Sequence, residues 1–213
     1  MNWVILRKFP WVDTRARFVA NTPRNGTLLD IGASDGETLN HFAELRPDLK
    51  FFATDIAGSP EKYPAGTEFH RGNLERDALP WRDNSLDAIT CMHLVEHLRD
   101  HALLFSEISR LLKPKGRAYF ETPHSKTLKL PSAEGRFTLN FFDDPTHVDV
   151  VTAIRLAELS AANGLRVAKT GISRNLIFAA AWPFYFFCGP NRKRFTTLIH
   201  WIGWSTYLIA EKP

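Results

Sequence analysis

A loop of small residues is the first feature of this sequence that could do chemistry. Asp30-Ile-Gly-Ala-Ser-Asp-Gly36 follows an apolar run that predicts a strand, and a predicted helix begins at Glu37. Small residues let the backbone turn sharply and let a ligand approach the main chain, and the amides of a helix N-terminus bind polar ligand atoms. Asp55 ends the next predicted strand, where a carboxylate can accept hydrogen bonds from two ribose hydroxyls. The loop and Asp55 therefore predict a nucleoside-binding site.

Three other interpretations of this loop compete with that one. A dinucleotide site needs the pattern G-x-G-x-x-G, and Ser34 stands where its second glycine should be. The same residues match G-x-S-x-G, the nucleophile elbow of α/β-hydrolases, with Ser34 as nucleophile and His147 as base. That elbow normally follows several strands, whereas Ser34 follows the first clear one. A purely structural turn is the third interpretation.

A second group of reactive side chains follows the predicted fourth strand, in His93-Leu-Val-Glu96-His97. The string matches the H-x-x-E-H pattern of certain zinc peptidases. No third ligand is evident in the sequence, so we expect no metal. His93 is the preferred candidate for a catalytic base, because a base near a reacting hydroxyl must take its proton. Glu96 is a candidate to orient the base.

A third group lies in an irregular stretch, Asn140-Phe-Phe-Asp-Asp-Pro-Thr-His147. Long loops in compact domains are often functional. Asp143, Asp144 and His147 are close enough in sequence to form an acid–base pair or to bind a divalent ion. Asp-Pro-Thr is also an ordinary turn sequence, so loop scaffolding is the alternative. We place His147 among the candidate bases and Asp144 among the candidate orienting groups.

The elements that position these groups alternate along the chain. Strands are predicted over 27–31, 50–54, 67–71, 86–92, 117–121, 165–170 and 206–211, and helices over 37–45, 100–112 and 151–162. Alternating strands and helices predict an α/β fold with a parallel sheet and helices on both faces. Such sheets bind ligands at the carboxyl ends of their strands, and the polar groups lie there.

Five segments in order resemble class I S-adenosylmethionine-dependent methyltransferases. They are Leu28–Gly36, Asp55, Gly72-Asn-Leu74, Ser85–His97 with its "LVEH" ending, and Leu111-Leu-Lys-Pro-Lys-Gly116. The resemblance implies a Rossmann-like seven-stranded sheet whose last strand is antiparallel, with S-adenosylmethionine as cofactor. The residues that it implies for cofactor binding are Asp30, Gly32, Ala33, Ser34, Gly36, Asp55, Ile56, Asn73, Leu74, Cys91 and Met92. The candidate catalytic residues are His93, Glu96, Asp144 and His147.

The resemblance also implies how the cofactor would be divided among these residues. The glycine loop would hold its methionine part, Asp55 its ribose, Asn73 and Leu74 its adenine ring, and Cys91 or Met92 its sulfonium end. The "ETP" and "DPTH" strings at 121–123 and 144–147 resemble the narrower group of methyltransferases found with bacterial cell-surface polysaccharide and O-antigen synthesis.

Composition and charge exclude several classes of protein. The 213 residues fit a single domain, 1–213, and two cysteines without a C-x-x-C pair argue against a disulfide scaffold or metal ribbon. The formal net charge is +4, but residues 165–213 contain seven basic side chains, one acid and ten of the 26 aromatics. No segment has the roughly 20 apolar residues of a membrane span. The basic, aromatic tail is the feature that acceptor binding has to explain.

Much of that tail is an insertion at 171–204 between the predicted sixth and seventh strands. It would shape the acceptor pocket, contact a membrane surface through 176–204, or pack as a helical hairpin on the sheet or in a homodimer. Its basic run, Arg192-Lys-Arg194, is short and no RNA-binding motif accompanies it, so we expect no nucleic-acid partner.

The expected activity is O-methylation of a sugar, phosphate or glycolipid acceptor, including polysaccharide precursors. Two alternatives stay open: methylation of another small molecule, such as a quinone or natural product, and esterase activity through Ser34. The sequence predicts a cytoplasmic protein, at the inner face of the membrane if 176–204 contacts lipid.

Overall fold

Seven strands form one sheet in the computed structural model, which describes residues 3–133 and 137–213. The strands are β1 (Thr27–Ile31), β2 (Lys50–Asp55), β3 (Glu68–Arg71), β4 (Leu86–Met92), β5 (Leu112–Pro123), β6 (Arg166–Ser173) and β7 (Ser205–Glu211). Their order is β3-β2-β1-β4-β5-β7-β6. All neighbours pair in parallel except β7, which is antiparallel to both β5 and β6. The predicted fold class is confirmed.

Six α-helices accompany the sheet in the described part of the chain. They are α1 (Thr14–Ala20), α2 (Glu37–Leu45), α3 (Ala102–Leu111), α4 (Ala153–Ala162), α5 (Leu176–Tyr185) and α6 (Arg192–Ile202). The predicted helix at 37–45 has the observed bounds of α2. The helix predicted from Asp100 begins instead at Ala102, because the Asp100 carboxylate accepts a hydrogen bond from the Ala102 amide and ends the preceding loop.

Helices cover both faces of the sheet, as the alternating buried residues of its strands require. On β1, Leu29 and Ile31 belong to a core that contains α3 and α4 side chains such as Ile108 and Leu156. Leu28 points the other way, into a core with α1 and α2 side chains such as Phe42. The central strands are therefore buried on both sides.

The largest difference from the predicted elements lies at the start of β5. The sequence predicts a strand over 117–121 after a helix that ends at 112, but β5 begins already at Leu112, which pairs with Leu86. Residues 113–116 form a bulge within this strand, where the β4–β5 register shifts and Lys115 has a positive φ of 66°. Such a bulge lets the chain pass directly from α3 into the sheet.

Two regions lie outside the alternating strands and helices predicted from the sequence. Residues 3–20 form short 3-10 turns and α1, and the Asp13 carboxylate caps α1 at the Ala16 amide. The insertion before β7 forms two helices, α5 and α6, which contact each other, as in the helical hairpin that was one of the expected arrangements. Phe184 on α5 and Phe187 in the loop after it are 80% and 88% exposed. No helix among the described residues has the length and apolar character needed to cross a bilayer.

Candidate active site

The glycine loop lies at the centre of the sheet, where β1 has β2 on one side and β4 on the other. This reversal of strand order opens a crevice at the carboxyl ends of the strands. Gly32, Ser34 and Gly36 have φ angles of 79°, 47° and 79°. A side chain at Gly36 would overlap the Tyr63 ring, which lies against it while the Tyr63 hydroxyl donates to the Ser34 carbonyl. The loop conformation thus depends on glycine and on Tyr63.

Asp55 is fastened to this loop by its carboxylate. One oxygen accepts from the Ser34 amide at 2.9 Å, and the other accepts from the Ala57 amide at 2.7 Å. The carboxylate is therefore oriented before any ligand arrives. Beside it the loop carries Asp35 and Glu37 but no Lys or Arg between 30 and 37. This acidic set suits a cationic, hydroxyl-bearing ligand and would repel a pyrophosphate.

Asp30 lies beneath the loop and is 3% exposed. The Thr90 hydroxyl donates to its carboxylate at 2.6 Å. Burial raises the pKa of Asp30 to about 7, against the opposing effects of the Thr90 hydrogen bond and Arg15. Asp30 therefore changes charge near neutral pH, and a cation bound nearby would favour its ionised form.

The other residues predicted at the cofactor differ in exposure. Ile56 is 65% exposed and Met92 is half-buried, whereas Ala33, Leu74 and Cys91 are buried. Burial raises the pKa of the Cys91 thiol well above its ordinary value. Asn73 uses its side-chain oxygen to accept from the Glu75 amide. Of the pair Cys91 and Met92, only Met92 presents its side chain at the surface.

His93, the predicted base, follows β4 with a φ of 51°. Its Nδ1 lies 3.1 Å from Glu96 Oε1 and its Nε2 lies 3.2 Å from Glu121 Oε1. Burial works to lower the pKa of His93, but the two carboxylates raise it to about 9. At neutral pH the ring is therefore protonated and donates to both carboxylates. In this state His93 has no free lone pair with which to accept a proton.

Glu121 is the centre of this buried network. Its carboxylate is 1% exposed and accepts hydrogen bonds from three side chains: the Arg15 guanidinium, the Tyr119 hydroxyl and the Ser173 hydroxyl. Burial alone would raise the pKa of Glu121, but the charge of Arg15 and its hydrogen bonds hold it well below the ordinary value. Arg15 was missed by the sequence patterns because it comes from α1, far from any motif.

A cavity of about 220 Å³ lies beside this network. Its lining includes Arg15, the first turn of α2 at Glu37 and Thr38, and Asn175 and His200 from the helical insertion. Burial and then Arg15 lower the pKa of His200 to about 4, so this ring is neutral at physiological pH. The insertion therefore borders the same end of the sheet as the glycine loop.

A second histidine cluster lies on the other side of Glu96. Glu96, His97 and His147 each place one potential ligand atom within 4.8 Å of the others. His147 is 4% exposed at its side chain, and its Nε2 lies 3.9 Å from Asp144 Oδ2. The fold thus joins the second and third reactive groups of the sequence.

Asp143 and Asp144 have separate roles in that loop. Asp143 accepts hydrogen bonds from the Ala133, Leu139 and Asn140 amides and is part of a capping box with Asn140. Loop scaffolding therefore describes Asp143, whereas Asp144 faces His147. No hydrogen bond joins Ser34 to a histidine among the described residues, so the geometry of a hydrolase nucleophile and base is not formed there.

Comparison with known proteins gives a consistent picture. Residues 6–170 match the family described as "Methyltransferase domain". A Mycolicibacterium smegmatis protein named as a probable S-adenosylmethionine-dependent methyltransferase is 30% identical over 147 residues, covering 67% of this chain and 53% of that protein. A ubiquinone biosynthesis O-methyltransferase of Thiobacillus denitrificans is 28% identical over 177 residues, covering 78% of this chain and 73% of that protein. The chain spans about half the length of the first curated relatives that it matches.

A solved structure shows the same fold along nearly the whole chain. An S-adenosylmethionine-dependent methyltransferase from Mesorhizobium loti superposes with a TM-score of 0.66 and 15% identity, covering 97% of this chain and 98% of that one. At this identity the likeness concerns the architecture of the sheet and its helices.

Proposed function

This chain belongs to the methyltransferase domain family, and we propose that it transfers a methyl group from S-adenosylmethionine to an oxygen atom of an amphiphilic acceptor. The observation that carries the proposal is the acidic glycine loop with Asp55 fixed beside it at the carboxyl ends of β1 and β2. S-adenosylmethionine, when bound, supplies a methyl group already activated on a sulfonium sulfur. The protein then has to orient an acceptor and exclude water.

The chain offers a complementary contact for each part of such a cofactor. Asp55 would accept from the ribose hydroxyls, and the loop over 32–36 would hold the methionine part against the first turn of α2. Asn73 and Leu74 would contact the adenine ring, and Met92 would lie at the sulfonium end. Asp30, with its pKa near 7, adds a second carboxylate beneath a cationic ligand.

The insertion supports an acceptor with an apolar part. Phe184 on α5, Phe187 in the loop after it and Trp201 on α6 are exposed, and basic residues begin α6 at Arg192-Lys-Arg194. The Arg194 guanidinium lies over the Phe186 ring, 5.9 Å from its centroid. Aromatic and basic side chains that lie together suit a molecule with an apolar tail and an anionic head. A glycolipid or lipid-linked sugar phosphate has this character.

A quinol with an apolar tail is the second candidate acceptor. It is favoured because several relatives are named as ubiquinone biosynthesis O-methyltransferases. Both candidates share a hydroxyl on an amphiphilic molecule, and both would be met at the inner face of the cytoplasmic membrane. The proposal therefore assigns the exposed insertion to acceptor docking rather than to nucleic-acid binding.

A hydroxyl acceptor must lose its proton as its oxygen takes the methyl group. His93 is already protonated at neutral pH, so we assign it a positioning role between Glu96 and Glu121. The proton is proposed to leave at the cluster of Glu96, His97 and His147, where Nε2 of each ring makes no hydrogen bond among the described residues. In this proposal the neighbouring cluster, and not His93, takes the part of the base.

Methyl-labelled S-adenosylmethionine tests the proposal. The protein is incubated with separated lipid and aqueous extracts of bacterial cells, and mass spectrometry identifies the labelled product and the atom that carries the methyl group. A labelled oxygen in the lipid fraction is expected, and its absence with Asp55→Ala shows that the cofactor site is responsible. Labelled glycolipid and labelled quinol separate the two acceptors. Label on nitrogen, carbon or sulfur, or only in the aqueous fraction, overturns the acceptor class.

A further inference from the structure

We propose that Glu96, His97 and His147 form a binding site for one divalent transition-metal ion, with zinc as the probe. The three residues come from the turn after β4 and from the loop before α4, and they meet only in the folded chain. The binding of the ion does not depend on the methyl acceptor. Its part in removing the acceptor's proton rests on the proposed function.

The spacing of the three ligand atoms fits a metal after a small movement. They lie within 4.8 Å of one another. Donors bound to zinc at about 2.1 Å in a tetrahedral arrangement lie roughly 3 to 4 Å apart. Side-chain rotations that move each ligand atom by about an ångström would bring the three atoms to this spacing.

The hydrogen bonds of both rings direct their free lone pairs toward the cluster. His147 donates from Nδ1 to the Phe141 carbonyl at 2.6 Å, so its Nε2 carries the lone pair. The Thr146 hydroxyl donates to Asp144 at 2.6 Å and therefore accepts from His97 Nδ1 at 2.9 Å. His97 Nε2 then carries the lone pair as well. Metal-binding histidines are characteristically held in this way, with the other ring N–H donated to an oxygen.

Glu96 supplies the independent observation that points to a ligand. Its side chain is 0% exposed, and Oε1 lies 3.1 Å from His93 Nδ1. The other oxygen, Oε2, is buried without a hydrogen-bond partner among the described residues. A buried carboxylate oxygen left unpaired is costly, and a bound cation would satisfy it.

The donor set selects the class of ion. Two imidazole nitrogens and one carboxylate oxygen suit zinc and other first-row divalent ions, whereas magnesium and calcium prefer oxygen ligands throughout. Asp144 Oδ2, 3.9 Å from His147 Nε2, is the nearest candidate for a fourth position. His93 is excluded as a ligand because carboxylates occupy both of its ring nitrogens.

A bound ion would also explain how the cluster carries a proton away. A divalent metal lowers the pKa of a coordinated hydroxyl or water, so the acceptor's proton would pass to solvent without a free histidine base. The ion uses the His147 lone pair, and this assignment therefore replaces the base role predicted for His147 from the sequence.

Zinc binding to the chelator-treated protein is measured by titration calorimetry, and cobalt is used in parallel because its visible absorption reports coordination. One ion per chain is expected to bind. The visible absorption of bound cobalt should be that of an ion with few ligands, all of them nitrogen or oxygen atoms. His147→Ala and Glu96→Gln should abolish saturable binding. Thr146→Val, which removes an orienting hydrogen bond of His97, should weaken binding roughly 10- to 100-fold.

Controls keep the result interpretable. His70→Gln removes a histidine on β3, away from the cluster, and should leave zinc binding unchanged. Circular dichroism and binding of S-adenosylmethionine verify that each variant is folded. Absence of saturable zinc or cobalt binding in the folded wild type overturns the metal site, as does equal loss in His70→Gln. If zinc binding fails while S-adenosylmethionine still binds and methyl transfer continues, only this inference fails.

Discussion

The protonated state of His93 has a measurable consequence for stability. His93 is held between Glu96 and Glu121, and these carboxylates raise its pKa from the ordinary 6.5 to about 9. A group whose pKa is raised by folding stabilises the folded state fully below its unfolded pKa and loses that contribution as the pH rises through the folded pKa. The stability of this protein should therefore fall between about pH 6.5 and pH 9.

The size of the fall follows from the shift in pKa. A rise in the His93 pKa from 6.5 to about 9 corresponds to about 3 kcal/mol between pH 6 and pH 9.5, at about 1.36 kcal/mol for a tenfold change in an equilibrium constant. The His93 side chain is 31% exposed, and solvent screening reduces the expected value to about 2 kcal/mol. Asp30, whose pKa is about 7, also loses its proton as the pH rises, but that titration is centred near pH 7 and is common to the wild type and to any variant of His93.

Urea denaturation at pH 7.5 and at pH 9.5 measures this effect, with His93→Gln as the matched variant. Glutamine can still donate one hydrogen bond but cannot titrate. The free energy of unfolding of the wild type should fall by about 1 to 2 kcal/mol more than that of the variant over this interval. Parallel pH profiles for the two proteins would refute the protonated network, because every other titrating group is common to both.

Three further outcomes follow from the geometry of the site. Asp55→Ala should weaken S-adenosylmethionine binding at least about tenfold in calorimetry, since the loss of a charge-assisted hydrogen bond costs roughly 1.5 to 3 kcal/mol. Gly36→Ala should abolish that binding and lower the Tm, because its φ is positive and Tyr63 occupies the space, whereas Gly189→Ala, with open space around it, should do neither. Arg15→Met should destabilise the protein by about 3 kcal/mol by leaving the buried carboxylate of Glu121 without its main cation. A change below about 1 kcal/mol in urea denaturation would show that His93 alone neutralises that carboxylate.

The pattern of apolar residues was sufficient to predict where the central strands of the sheet lie. The bounds of β1 and β4 agree with the predicted strands, because each is a short apolar run buried on both faces and bounded by polar residues. Boundaries failed where a tertiary contact overrides local sequence. The strand predicted from 117 begins instead at Leu112, because Leu112 pairs with Leu86.

The catalytic candidates show the limit of sequence reasoning more clearly. His93 was chosen as a base from its position after β4, but its charge depends on Glu121, which arrives from a different strand. The expectation of no metal rested on the lack of a third ligand. The fold supplies a candidate in His147, brought beside His97 by the loop before α4.

The sequence by itself determined the alternating α/β architecture and the place of the glycine loop and Asp55 after their strands. Those features are local, because periodicity and small residues act within one element and its neighbours. Only the tertiary structure decided that His93 is protonated and that Arg15 pairs with Glu121. It also brings Glu96 and His147 together. Charge states and ligand sets depend on distances of a few ångströms between groups far apart in the chain, and only the packed fold sets those distances.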